Sequence, residues 1–158
     1  MTDDLEPLEP ELWFRRIEMI ARGELPSVEN SLRHAAHLLL LTPTPFRHVV
    51  RLSLEEDAFE ALLEAGEFDT AARHLIARPT ALTVNQDGDD PVRATIKCVI
   101  LDRTVHVAGD TVATAVLAAW TTCLLALRDE FGADLLSLPD QPLRADQFGR
   151  YRRLSSSA

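Results

Sequence analysis

The chain has 158 residues, enough for one domain with a sizeable core and short for two. At 46% hydrophobic and 26% charged it has the make-up of an ordinary soluble globular protein. Its formal net charge of −9 disfavours general electrostatic binding to nucleic acid or an anionic membrane, so neither is expected as a partner.

Residues 1–10 are acidic and proline-bearing and read as a loose lead-in. Asp3, Asp4 and Glu6 stand where a secretory signal would carry positive charge, so the expected location is cytoplasmic. Glu11 to Arg22 follows as a first helix, with Trp13, Ile17 and Ile20 in a stripe and Gly23 as its stop. Ser27 is placed to cap a second helix whose Val28, Leu32, Ala35, Ala36 and Leu39 face inward. Thr42-Pro43-Thr44-Pro45 ends it, because proline cannot continue the hydrogen-bond ladder.

Phe46 to Leu52 alternates and reads as a short strand, although a helical turn after Pro45 fits the same residues. Ser53 and Glu56 spell the S-x-x-E capping box, which predicts a third helix from Leu54 to Gly66. A fourth runs from Phe68 to Ala77 and stops at Pro79. Between them, Gly66 to Ala71 resembles the G-x-[YF]-x-x-A turn of tetratricopeptide repeats. The likeness occurs once, whereas that architecture stacks about three units, so an ordinary helical hairpin is expected.

Thr80 to Asn85 and Val92 to Leu101 are the clearest strands, joined by a turn-rich loop, Gln86 to Pro91. A two-residue turn at Asp102-Arg103 would lead into Thr104 to Ala108 and set Ile100 opposite Val105 and Val99 opposite His106. Ile96, Cys98, Ile100, Val105 and Val107 then share one face, with Arg93, Thr95, Lys97 and His106 on the other.

Thr111 to Leu127 contains no charged residue and predicts a helix opened by Asp110 and closed before Gly132. Apolar nearly all round, it should be buried nearly all round. These seventeen residues would reach roughly 26 Å, short of a bilayer core of about 30 Å, so a membrane span is not expected. The architecture predicted is α+β: N-terminal helices, a three- to four-stranded antiparallel sheet, and a long buried helix packed on it. The domain is expected over residues 11–138, with 139–158 an irregular tail, basic from Gly149 to Ser157.

Little in the chain points to chemistry. His34 and His37 are three apart on the second helix, a spacing that can serve one metal, yet further ligands (His48 or His74) are not in pattern. Thr83 to Gly88 resembles a calcium loop, but Ala94 stands where the bidentate glutamate belongs, so no metal is expected there. Ser27 and Ser53 are accounted for as caps, and Cys98 and Cys123 as isolated core thiols rather than a disulfide framework. No G-x-S-x-G elbow, Walker loop or G-x-G-x-x-G is present, and no cofactor is expected.

Two features remain. Thr114, Ala115, Ala118, Ala119 and Thr122 form small-residue rows on the central helix, open to another helix of the same chain or of a second copy. His74, Asp102 and His106 are the candidates for a polar pocket, the last two as base and orienter. The favoured expectation is a non-catalytic, acidic interaction protein, homodimeric, with a basic protein partner, such as a small chaperone, adaptor or neutralising protein. The alternative is a small enzyme or ligand binder with a pocket between sheet and helices.

Overall fold

The computed structural model describes residues 6–98, 100–132 and 138–149. The basic run after Gly149 and the leucines at 135 and 136 lie outside them. In chain order the elements are α1 (Pro10–Ala21), α2 (Val28–Leu40), α3 (Glu56–Glu64), α4 (Phe68–Arg73), β1 (Leu82–Asn85), β2 (Val92–Cys98), β3 (Arg103–Gly109) and α5 (Val112–Phe131). The class is α+β, with a three-stranded antiparallel sheet ordered β1-β2-β3 and α5 packed on it.

The burial pattern explains how α5 is held. Ala115, Val116, Ala119, Trp120, Leu124 and Leu127 are buried, and α1, α2, α4, β2 and β3 all contact the helix. Thr122 is exposed, and Thr114, Ala118 and Cys123 are half-buried, so one strip of the helix meets solvent. Running from Val112 through Arg128 to Phe131, α5 has 20 residues, long and apolar enough by itself to cross a membrane. The 17-residue length therefore no longer separates the two cases. Half of its apolar window is buried by the fold, the arrangement of a core helix.

The cap of α5 is not Asp110. Thr111 is the N-cap: its hydroxyl accepts from the Thr114 amide at 3.1 Å, and the Thr114 hydroxyl accepts from the Thr111 amide at 3.0 Å. Asp69 of α4 completes the end, accepting from the Ala113 amide at 2.9 Å. A carboxylate does sit at the positive end of the dipole, but it comes from 44 residues away. Gly109 permits the sharp join from β3 into α5. A Cβ there would lie 2.7 Å from the Ala115 nitrogen, which is backbone and cannot turn aside.

Three further boundaries differ from expectation. Residues 44–46 form a 3-10 turn, so the helical alternative for Phe46 to Leu52 holds and the strand does not. The predicted capping box at Ser53 is absent, because both the Ser53 amide and hydroxyl donate to the His74 carbonyl, at 3.0 and 3.1 Å. α3 accordingly starts at Glu56, and α4 ends at Arg73, since His74 gives its carbonyl to Ser53 instead of to the next helical turn. The β2–β3 register pairs Ile96 with Val105 and Thr95 with His106, ending at Cys98 opposite Arg103. A two-residue hairpin there would ask a positive φ of arginine. The ladder instead ends with Cys98 opposite Arg103, and Asp102 takes a positive φ of 52°. The slip is even, so the faces survive: Val92, Ala94, Ile96 and Cys98 are buried.

Both ends are tied to the loop after α2. The Leu8 amide donates to the Leu41 carbonyl and the Leu143 amide to the Pro45 carbonyl, each at 3.0 Å. Beyond residue 138 the chain re-enters the core, with Leu143 and Phe148 buried and a helical turn over 145–149. Phe148 stacks on Phe46 at 5.3 Å, and Phe131, Phe14 and Trp13 complete a continuous aromatic cluster. The expected boundary at 138 therefore moves outward, because an apolar ring this large is retained by its neighbours rather than left in water. Phe148→Ala is expected to cost about 3–5 kcal/mol in urea unfolding. A loss below about 1 kcal/mol would show the segment to be dispensable to the core.

Candidate functional site

Four segments enclose a cavity of about 160 Å³ between the sheet and α5. Strand alternation aims Ile96 and Cys98 of β2 at the helix. Trp120, Cys123, Leu124 and Leu127, at three- and four-residue spacing, supply the facing wall. Leu75 to Arg78, released from α4 by the His74 carbonyl, make a third side, and His48 to Arg51, following the 3-10 turn, a fourth. The last two segments are latched together by Ser53 and His74, whose Oγ and Nδ1 are 3.0 Å apart in addition to the bonds above.

The lining is mostly hydrocarbon and, among the described residues, holds no aspartate or glutamate. Trp120 is 3% exposed and forms part of the wall supplied by α5. The other tryptophan, Trp13, donates to the Leu38 carbonyl at 2.8 Å. Arg51 and Arg78 are exposed and have no ion-pair partner among the described residues.

Cys98 and Cys123, expected as separate thiols, are joined as a disulfide across this wall, linking β2 to α5. Their separation of 25 residues hid the pairing, because only the packing of helix on sheet brings them together. Cross-linking a loop of that length contributes about 3 kcal/mol in the chain-entropy view. Thiol titration of the unfolded, unreduced protein should find none free and, after reduction, two. Two free thiols without reductant would exclude the cross-link.

The sequence-derived candidates do not converge. His74 belongs to the latch, one residue outside the cavity lining. His106 lies on the exposed face of β3, its Nδ1 3.1 Å from Thr95 Oγ1 across the ladder, while Asp102 occupies the turn beyond the ladder's end. Base and orienter are thus not assembled. The small-residue row is divided: Ala115 and Ala119 are fully buried within the chain, and Thr114, Ala118 and Thr122 retain exposure. The sequence singled out neither Arg51 nor Arg78, whose only signal was their place beside the apolar runs 48–52 and 75–77.

His34 and His37 border a shallow depression beside the Arg33–Glu60 ion pair of 2.6 Å, which links α2 to α3. Among the described residues no three His, Cys, Asp or Glu side chains come together to hold a metal. His34 Nε2 is buried without a partner. Desolvation, then the charges of Arg16 and His37, hold its pKa below the usual 6.5. The unfolded chain therefore binds this proton more readily than the folded one, so stability falls as pH drops below 6.5 toward the folded value. Melts between pH 7.5 and 5 should show a steeper fall in Tm for the parent than for His34→Gln; equal slopes would refute the assignment.

No family model, curated protein or solved structure matches this chain.

Proposed function

We propose that the protein is a non-catalytic binding module that holds a small, largely apolar ligand in the cavity between β2 and α5. The observation that supports this reading is the cavity itself, of about 160 Å³ and walled mostly by hydrocarbon, with Trp120 in its lining. A cavity of roughly 150 Å³ accommodates one benzene-sized group, so the ligand's buried part has about six carbons. Catalysis has less behind it, because the exposed Ser53–His74 pair has no third group to orient it among the described residues. A homodimer across α5, or a basic protein docked there, also has less behind it. Ala115 and Ala119, which would bring two helices close, are consumed by packing within the chain.

Titration with 1-hexanol, followed by methyl NMR, tests the reading. Ile96, Leu124 and Leu127 resonances should shift in a saturable way while Ile17 and Leu32, away from the cavity, stay still. Ala81→Phe, which fills the chamber from its rim, should abolish the shifts. No saturable shift at the cavity methyls would overturn the proposal.

A further inference from the structure

Arg51 and Arg78 stand on the two facing segments that the Ser53–His74 latch holds together, and both border the same cavity. In a chain of net charge −9, two arginines line one largely apolar cavity, with no carboxylate in its lining among the described residues. Several other arginines are matched, Arg33 with Glu29 and Glu60, Arg128 with Glu18 and Arg103 with Glu130, while Arg16, Arg47, Arg73 and Arg93 are unpaired among the described residues but stand outside the cavity lining. Arg51 and Arg78 have no such partner among the described residues. Lys97 also borders the cavity, but strand alternation turns its side chain to the opposite face of the sheet from Ile96 and Cys98, so it is left out.

We infer that the ligand is a small amphipathic anion: an apolar body of about six carbons inside the chamber, and a carboxylate at the mouth between Arg51 and Arg78. This rests on the ligand-binding reading above and names its chemical class. The guanidinium fork offers paired donors that match a carboxylate, and an exposed mouth lets the head group keep part of its hydration while the body is buried. The cation pair also accounts for selectivity within an acidic protein. The net charge repels anions at long range, but within a Debye length of about 8 Å the local arginines dominate.

Calorimetric titration of the full chain with hexanoate, 1-hexanol and hexylammonium separates the two claims. Hexanoate should bind about tenfold more tightly than 1-hexanol, the order expected of a hydrogen-bonded charge pair, and hexylammonium most weakly. The exposed double variant Arg51→Gln/Arg78→Gln should melt as the parent does and bind 1-hexanol unchanged, but lose the preference for hexanoate. Equal affinity for hexanoate and 1-hexanol, or a preference that survives the double variant, would overturn the anion assignment and leave the cavity reading intact. Failure of both ligands to bind would remove the cavity reading itself.

Discussion

A helix with no charge from Val112 to Leu127 must be covered, and most of the structure follows from how α5 is covered. Its Ala115 and Ala119 let neighbouring elements come close, to the point that Gly109 has no room for a Cβ against the Ala115 backbone. Its larger side chains, Val116, Trp120, Leu124 and Leu127, fill the space those neighbours leave. Burial of this kind gains about 25 cal/mol per Å² of apolar surface, far more than the hydrogen bonds at the helix ends. The first amides of the helix have no partner within it, and side chains at its N-terminus match them. Thr111, Thr114 and the distant Asp69 supply those side chains.

The same packing creates the cavity. The cavity between sheet and helix is bordered where the chain is irregular, at His48 to Arg51 and Leu75 to Arg78. Neither segment carries a regular element that could fill the gap. The Ser53–His74 hydrogen bonds hold the two loops at a set distance, so the opening is a stable part of the fold and not a defect of packing. The Cys98–Cys123 link pins the opposite wall. Disulfides persist in oxidising compartments and are reduced in the cytosol, so the state of this pair reports on where the chain resides.

The aromatic cluster does comparable work at the other end of α5. Phe46 lies between Phe14, Phe131 and Phe148, joining α1, the loop after α2, the end of α5 and the returning C-terminal segment. A residue that alternation alone would put in a strand is therefore the hub of a cluster drawn from four parts of the chain. Its 3-10 turn presents the ring where an extended segment would not.

Local signals determined what local physics controls. Periodicity set the helices and the buried faces of β2 and β3, and Ser27 caps α2 as its position implies, accepting from the Asn30 amide at 3.1 Å. Parity protected the sheet: the hairpin register moved by an even step, which leaves every side chain on its own face. What residues distant in sequence decide could not be read in advance. Ser53 had an equally good partner in its own helix and in His74, and only the packed structure chose. Asp69 reaching Ala113, Cys98 meeting Cys123 and Phe148 meeting Phe46 are all of that kind, as is the approach of Arg51 and Arg78 to one opening. Such pairings depend on the relative placement of whole elements, which is set by the burial of α5 as a collective property of the core and leaves no mark at either residue alone.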